Sequence, residues 1–428
     1  MRILTSLIFI FIISTTLLSQ QRDLNFCLEQ AKLSSPLIQK NKNDNKIIDL
    51  DLQQTERILK NPEINLESTV LFAPILSHDT NPSTINLSIN GANSYAGYDL
   101  GITNGGQYQA FISLKQPLLG NMNMKVYSRK SDISRKQNEN LTNMTIHEIE
   151  QLVGYQYLLC LKSKEQFKNA DGIVKLIDEQ LNIMKKLVDN AIYKKSDMLL
   201  MEIEKQNQLL NTKSYEDDYK SNLYDLNLLC GIKDSTIIDI KELDLQINND
   251  EFSLNSRFLV SYKLDSLSIL ADQSISELKY KPQLNAFANA GYNATGIPSL
   301  ERFGLSGGLT FSWNLYDGNQ RKLEQEKTNV NIQTQQFEKN HFITQRELNK
   351  AKIKNQLKAL DERGKILQNQ LLQYDNLYKL YENELTQGLV SVMDFKNLLK
   401  DITSKKQDFL LQKMEKQLLI NSFNYWNY

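Results

Sequence analysis

Apolar residues recur at alternating steps of three and four along two long stretches of the chain. This spacing is typical of a helix that packs along one seam against another helix, as in a coiled coil. The two seams consist of Val174, Ile177, Leu181, Met184 and Val188, and of Leu371, Tyr374, Tyr378, Tyr381 and Leu385. The pattern therefore predicts two long helices, each packed against a neighbouring helix.

Each seam ends in a segment, 190–197 or 387–394, where an aspartate lies six positions after a small residue. These pairs are Ala191 with Asp197 and Gly388 with Asp394. An aspartate, with Ser196 beside it in the first segment, can accept hydrogen bonds from the free N–H groups of a new helix. We therefore predict two hairpin tips, with Ser196 and Asp197 capping the first returning helix.

Four other stretches alternate apolar and polar residues with a period of two, as in strands with one apolar and one wet face. The predicted strands lie near 63–72, 108–115, 283–292 and 303–315. Aromatic residues near the strand ends suit a membrane interface, namely Tyr108, Phe111, Tyr292, Phe303, Trp313 and Tyr316. Between the first two strands, the turn-rich segment 73–107 is predicted to be a long loop that carries a small hairpin around Ile85, Leu87 and Ile89.

The order of these elements repeats along the chain. In both halves, a helix and a proline precede a strand pair, and a long helix, a tip and a shorter helix follow it. Pro117 lies 74 positions before Ala191, and Leu315 lies 73 positions before Gly388. We predict a first structural repeat over 21–248 and a second over 249–428. Within the first repeat we expect a helical segment over 23–60 with Pro36 near its start, a long helix over 121–192, and a stop at Gly231.

Composition supports long helices, because 428 residues include only 17 Gly and 7 Pro. Fifty basic and fifty acidic residues cancel, so no broad field favours nucleic acid. The first 20 residues, an apolar run after Arg2, have the layout of a secretory signal. Since no later run of eighteen apolar residues follows, any membrane-embedded part is expected to be built from strands.

Candidate chemistry is sparse. His78, His147 and His341 are far apart and have no partner at metal-ligand spacing, so we expect no metal site. Glycines 304, 307 and 308 lie inside a strand pattern and do not form a nucleotide-binding fingerprint. The three cysteines, Cys27, Cys160 and Cys230, are expected to be buried free thiols. No nucleophile, base or cofactor cage is assembled, and we therefore expect a protein that is not an enzyme.

These motifs, in their order and spacing, resemble the TolC-like outer membrane efflux proteins. The stretch 388–394 is similar to the second, glycine-containing hairpin tip of that family. Segments 116–118 and 315–318 resemble its junctions from strand to long helix, and Pro62 and Pro282 its junctions from helix to strand. The resemblance covers essentially the whole chain after the signal.

The resemblance implies a homotrimer in the outer membrane of a Gram-negative bacterium. Three chains would supply four strands each to a twelve-stranded β-barrel, and their helices would continue it as an α-barrel through the periplasm. The channel would be a passive exit duct of a tripartite efflux or type I secretion system, without a cofactor. Its partners would be a periplasmic adaptor, an inner membrane transporter and outer membrane lipid.

Carried over by position, the adaptor contacts would be Ala191, Ile192, Gly388 and Leu389. Asp394 would lie at the pore entrance, where three carboxylates favour cations; its alternative role is a helix N-cap. One turn beyond, Asn397 stands where some members have a second acidic residue. The side chains of Leu385 and Val390 offer no donors for a polar lock, and we expect a gate closed by packing.

One further expectation concerns the first turn. Ala191 stands where glycine is usual, so the first turn is expected to be tighter or differently set.

The alternative function, from another class, is a secreted or periplasmic coiled-coil spacer or adhesion protein with a soluble β cap. That alternative differs from a channel because it would not require lipid or detergent.

Overall fold

The computed structural model describes residues 22–73, 76–77, 95–96, 105–233, 239–248, 256–295 and 303–427. The described part of the chain is mostly helical and carries a four-stranded antiparallel sheet. This architecture confirms the predicted fold class of long helices with a small β part. The predicted signal segment 1–20 lies outside the described residues.

Long helices dominate the described part of the chain. They are α1 (Leu24–Ser34), α2 (Pro36–Lys60), α3 (Gly120–Asp189), α4 (Lys195–Cys230), α5 (Arg257–Ser276), α6 (Gln320–Thr386) and α7 (Val392–Trp426). A 3-10 turn, Glu277–Tyr280, follows α5. The pairs α3/α4 and α6/α7 confirm the two predicted hairpins. Among the described helices, none is both long and apolar enough to span a membrane.

The helical segment predicted over 23–60 consists of two separate helices, α1 and α2. Ser35 between them has an extended backbone, with φ −64° and ψ 118°. Pro36 is the cause, since its ring disfavours a helical conformation in the residue before it. Its fixed φ and missing N–H suit the first position of a new helix, where Pro36 begins α2.

The predicted stop at Gly231 is confirmed. Gly231 adopts φ 66° directly after α4, and the N–H of Ile232 donates to the carbonyl of Asn227 at 2.8 Å. A left-handed residue followed by this long-range bond is the usual way in which a helix satisfies its last carbonyls. Beyond it, residues 239–248 form a connector without helix.

The described strands are β1 (Glu63–Ala73), β2 (Leu76–Ser77), β3 (Tyr95–Ala96), β4 (Gly105–Pro117), β5 (Gln283–Thr295) and β6 (Phe303–Ser312). One sheet has the order β1-β4-β5-β6, with every neighbouring pair antiparallel. The strand predicted over 303–315 thus ends earlier, at Ser312. Just beyond that end, the indole N–H of Trp313 donates to the carbonyl of Tyr280 at 3.1 Å.

The loop predicted over 73–107 is described in part. Its two short strands, β2 and β3, pair antiparallel and close a small hairpin. Ile85, Leu87 and Ile89, the residues on which the predicted hairpin rests, lie outside the described residues.

The chain forms two compact units. One draws on Met1–Asn41, Asn140–Val260 and Glu338–Tyr428, and the other on Lys42–Glu139 and Ser261–Phe337. Each unit takes segments from both halves of the sequence, so the predicted repeats at 21–248 and 249–428 are a different division of the chain and stay a prediction.

The core of the first unit contains the three cysteines. Cys27, Cys160 and Cys230 are buried free thiols, as predicted. Beside them, the buried Tyr157 donates its hydroxyl proton to the carbonyl of Lys241, with an O···O distance of 2.6 Å. This bond fastens the connector to α3.

Candidate functional site

The sheet, which belongs to the second unit, has one apolar and one polar face. Its register brings residues of the same character into rows across the strands, for example Leu66, Ile112, Ala290 and Leu305. The apolar face is made of Ile64, Leu66, Val70, Phe72, Tyr108, Ala110, Ile112, Leu114, Leu284, Ala286, Ala288, Ala290, Tyr292, Phe303, Leu305, Leu309 and Phe311. Most of these side chains are exposed, and those of the two edge strands are exposed most, with Leu66 at 80% and Leu305 at 78%.

The opposite face is rich in uncharged polar side chains. It includes Asn65, Thr69, Gln107, Gln109, Ser113, Gln283, Asn285, Asn289, Asn293, Ser306, Thr310 and Ser312. Among the described side chains of this face, the charged ones are Glu63, Glu67 and Lys115, and the carboxylate of Glu67 accepts a bond from the Ser113 hydroxyl at 2.7 Å. Such a face suits contact with water.

Phe111 does not lie where the aromatic pattern predicts it. The register pairs Phe111 with Glu67 and Gly291 on the polar face, so it is not part of an aromatic belt on the apolar face. Alternation shows this on inspection, because Phe111 falls at a polar position between Ala110 and Ile112. Tyr292 and Phe303 are on the apolar face as predicted, with ring centroids 5.5 Å apart.

In the first unit, the two hairpin tips share one hydrogen-bond pattern. At the first tip, the N–H of Ile192 donates to the carbonyl of Leu187 at 2.9 Å. At the second, the N–H of Leu389 donates to the carbonyl of Glu384, also at 2.9 Å. Both bonds span six residues and close a Schellman motif, in which the penultimate residue is left-handed.

The left-handed residue is Ala191 at the first tip, with φ 60°, and Gly388 at the second, with φ 72°. The expectation that alanine would give a tighter or different turn is therefore wrong. The helix ends impose the same conformation on both residues, although a Cβ makes it unfavourable by about 1–2 kcal/mol.

The two returning helices begin with different caps. In α4, the carboxylate of Asp197 accepts a bond from the N–H of Lys194 at 3.0 Å, whereas Ser196 is exposed in the first turn. In α7, Ser391 is the N-cap and accepts a bond from the N–H of Asp394 at 3.1 Å. The Ser391 hydroxyl in turn donates to the Asp394 carboxylate at 2.6 Å.

Behind the tips, side chains from both hairpins form one hydrophobic cluster. Its buried members are Ile173, Ile177, Met184, Met201, Leu385, Val390, Val392, Phe395 and Leu399. Leu385 is fully buried and Val390 is 9% exposed, so within one chain both join the two hairpins. Their role at a gate stays a prediction.

Polar contacts between the hairpins lie next to this cluster. The buried amide of Gln180 donates to the Tyr378 hydroxyl at 2.9 Å and to the Glu382 carboxylate at 2.8 Å. Nearer the turns, the Tyr193 hydroxyl donates to the carbonyl of Val390 at 2.7 Å. Sequence reasoning missed these links. The available signal was the tyrosines of the second seam, whose hydroxyls need partners when they are buried.

Burial raises the pKa of both tyrosines in these links. For Tyr193, desolvation is the main cause of the raised pKa and the nearby Asp197 carboxylate adds to it. For Tyr378, desolvation is again the main cause and Glu382 adds to it. Both hydroxyls therefore stay protonated, and able to donate, at neutral pH.

The predicted adaptor contacts lie at the surface. Ala191 and Gly388 are exposed, as are the apolar side chains of Ile192 at 47% and Leu389 at 72%. The two turns also approach each other, since a Cβ on Gly388 would lie 2.9 Å from Cγ2 of Ile192. The two tips thus form a single surface with two apolar side chains. We call Ala191, Ile192, Gly388 and Leu389 the tip surface.

Asp394 and Asn397 lie one turn apart on α7, and Asp394 is exposed beside its capping partner Ser391. No group of three or more His, Cys, Asp or Glu side chains in the described ranges could hold a metal ion. The assignment of Asp394 and Asn397 to a pore entrance stays a prediction.

Two helices carry apolar stripes that their own unit leaves exposed. On α4 the stripe comprises Leu199, Ile203, Leu210, Tyr224 and Leu228, all at least 48% exposed. On α6, within the second unit, Leu323, Val330 and Phe337 recur every seven residues and are also exposed. Steps of four and seven keep such residues on one side of a helix, where a further helix could pack.

Comparison with solved structures identifies the fold. CusC, described as forming a transmembrane channel, has a TM-score of 0.68 and 10% identity over 94% of this chain and 91% of its own. The outer membrane protein VceC of Vibrio cholerae has a TM-score of 0.68 and 11% identity over 94% and 95%. The CmeC outer membrane channel of Campylobacter jejuni has a TM-score of 0.66 and 11% identity over 94% and 85%.

No protein-family model matches the sequence, and no curated protein does. At identities near 10%, the likeness shows the fold alone. The resemblance to TolC-like channels is thereby confirmed at the level of architecture, over nearly the whole length of both chains.

Proposed function

We propose that this protein is the outer membrane channel of a tripartite efflux or type I secretion system. Three copies form a passive duct in the outer membrane of a Gram-negative bacterium, and the helices extend into the periplasm. The observation that carries the proposal is the sheet, whose apolar face is exposed and whose two edge strands can pair with other copies.

The direction of the strands supports closure between copies. Because each neighbouring pair is antiparallel, β1 and β6 run in opposite directions. The free edge of β6 can therefore pair antiparallel with β1 of the next copy. Three copies supply twelve strands, and a closed ring leaves no edge unpaired in lipid. The apolar face then meets lipid and the polar face lines a water-filled passage.

The exposed stripes on α4 and α6 support assembly of the helical part. A stripe of apolar side chains at heptad spacing is stabilised when the helix of another copy covers it. In a trimer, every copy both offers and receives such a surface. The partner that we assign to the stripes is therefore a second copy of this chain.

The tip surface is the proposed docking site for a periplasmic adaptor, which connects the channel to an inner membrane transporter. Ala191, Ile192, Gly388 and Leu389 present two turns and two apolar side chains at the end of the hairpins. Asp394 and Asn397 are assigned to the pore entrance, where carboxylates from three copies attract cations. Leu385 and Val390 hold the hairpins together, and the gate opens when docking loosens this packing.

The first test is the native mass of the protein extracted from outer membranes in mild detergent. A trimer that needs detergent supports the channel. A monomer or dimer released by salt or carbonate would instead support the coiled-coil spacer with a soluble β cap. This measurement separates the two functions directly, because only the channel requires lipid or detergent.

A pair of neighbouring substitutions tests the assignment of the faces. Leu305→Asp places a charge on the apolar face, where its contact with lipid is unfavourable and should reduce the recovered trimer. Ser306→Asp places the same charge one residue away, on the polar face, and should leave the trimer intact. Equal recovery of both variants would contradict the proposal that the apolar face meets lipid.

A further inference from the structure

Two aromatic side chains lie among the polar residues of the sheet, namely Phe111 and Phe287. In the ladder, Phe111 pairs with Gly291 and Phe287 pairs with Gly308. Each phenyl ring thus has a glycine directly beside it on the next strand. A glycine weakens a strand, so its place in a sheet usually reflects the close approach of another group.

The distances show what approaches. A Cβ on Gly308 would lie 3.0 Å from Cε1 and Cζ of Phe287, so the ring lies over Gly308. A Cβ on Gly291 would lie 2.5 Å from Cβ of Phe111 and close to the carbonyl oxygen of Ala110. The glycines supply the space that the two aromatic residues occupy.

The exposure of the rings agrees with this arrangement. Phe111 and Phe287, which lie on the two central strands, are only partly exposed. Phe287 is covered because its ring rests on the strand that carries Gly308.

Next to Phe111, the polar face of the sheet contains a cavity. A cavity of about 310 Å³ lies over Gly291 and Gly304, and its polar lining includes Gln109, Asn289 and Ser306. No described atom lies within 4 Å of the position that a Cβ on Gly304 would take. Gly304 and Gly308 thus share a strand and a face, but only Gly308 supports a ring.

We propose that Gly308 keeps the Phe287 ring flat against the wall of the passage and thereby sets its free cross-section. This inference rests on the proposed channel function and deepens it, because it assigns residues that limit the size of the cargo. A side chain at position 308 pushes the ring away from the strand. In a trimer, three rings then project into the passage together.

The test is the single-channel conductance of the full chain, purified as a trimer and reconstituted into planar lipid bilayers, with Leu385→Ala present in every protein that is compared so that the proposed gate at the tips does not limit the current. Gly308→Ala should lower the conductance, because the added methyl group pushes the Phe287 ring away from the strand and toward the pore. Gly304→Ala is the matched control, since it adds the same methyl group to the same strand and face without touching a ring. Its conductance should stay near that of the unmodified channel.

A second variant keeps the inference testable even if Gly308→Ala does not assemble. Phe287→Ala removes the ring and should raise the conductance. Adding Phe287→Ala to Gly308→Ala should restore at least the unmodified value. Recovery of trimers in detergent confirms assembly of each variant before it is measured.

The outcomes separate the two levels of the proposal. If unmodified trimers form no channels, the proposed function fails. If they conduct, but Gly308→Ala matches Gly304→Ala and Phe287→Ala leaves the conductance unchanged, the channel stands and the role of the ring and its glycine is refuted.

Discussion

The two hairpin tips have the same backbone built from different residues. The hydrogen bonds that end α3 and α6 follow one pattern, and four positions separate the left-handed residue from the next helix in both tips. Yet that position holds Ala191 in one tip and Gly388 in the other. The conformation is therefore set by the ends of the paired helices. The residue type changes only the free energy required to adopt it.

Packing explains why the first tip tolerates alanine. Its seam buries Val174, Ile177 and Met184. A well-packed helix end can hold one residue in an unfavourable conformation when its surroundings determine the position of the chain. The second tip uses glycine at the same place, where a Cβ would lie 2.9 Å from Cγ2 of Ile192.

The largest effect is expected from a bulky residue at the second tip. Gly388→Trp combines an unfavourable φ with a clash against Ile192, and it should abolish export while trimers still form. Cells that depend on this channel can be challenged with toxic compounds, and the trimer can be measured in mild detergent. The matched control is Gln387→Trp, one exposed position earlier. Unimpaired export by Gly388→Trp would contradict the assignment of the tip surface.

Next comes the packing behind the tips. Leu385→Ala removes a fully buried side chain and should destabilise the tip region by about 2–5 kcal/mol, and Val390→Ala should act in the same direction. Both should raise the resting conductance, since the proposed gate is closed by packing. Leu389→Ala, at an exposed leucine, is the control. A resting conductance unchanged by Leu385→Ala and Val390→Ala would remove the packing gate.

The polar link between the hairpins should have a smaller effect. Gln180→Ala leaves Tyr378 and Glu382 without the amide that now donates to both, and should lower the stability of the tip region by about 1–3 kcal/mol. Faster hydrogen exchange at the ends of α3 and α6 would report the loss. The control is Asn182→Ala, at an exposed amide two positions along the same helix. Equal hydrogen exchange in the two variants would show that the hydrogen bonds of Gln180 do not stabilise the tip region.

Exchanging the left-handed residues tests the comparison itself. Ala191→Gly should stabilise the first tip by about 0.5–1 kcal/mol, since it removes the penalty of a Cβ at positive φ. Gly388→Ala should destabilise the second tip by a similar or larger amount, because the added Cβ also meets Ile192. Hydrogen exchange at the two turns measures both changes. Changes of the same sign in the stability of the two tips would contradict the explanation that a Cβ is unfavourable at both left-handed positions.

The smallest effect concerns alkaline pH. Because the folded tip raises the pKa of Tyr193 above its unfolded value of about 10, the unfolded chain ionises first. This contribution to stability is complete below about pH 10 and is lost as the pH rises through the folded pKa. Hydrogen exchange near the tips should therefore report a loss of stability above about pH 10, and Tyr193→Phe should show less of it. An equal loss of stability in the unmodified protein and in Tyr193→Phe would show that ionisation of Tyr193 is not its cause.

Local patterns predict much of this fold, and contacts between distant segments are what they miss. The alternation of apolar and polar residues predicts all four strands of the sheet. The two heptad seams predict the long helices, and Gly231 predicts the end of α4. The aromatic pattern puts Phe111 on the wrong face because it ignores the alternation, in which Phe111 falls at a polar position between Ala110 and Ile112. The link from Gln180 to Tyr378 joins residues 198 positions apart, and no periodicity reports such a bond. The break at Pro36 follows from proline alone and was open to prediction.

The unpaired edges of β1 and β6 also bear on the life of a single copy before assembly. A lone chain would present two strand edges and an apolar surface to every other copy that it meets, which is a template for aggregation. A single folded copy is therefore prone to aggregation until its sheet is assembled with those of other copies. Transit to the membrane would need a holding chaperone or delayed folding of the strands, and overproduction that outruns this protection should yield inclusion bodies.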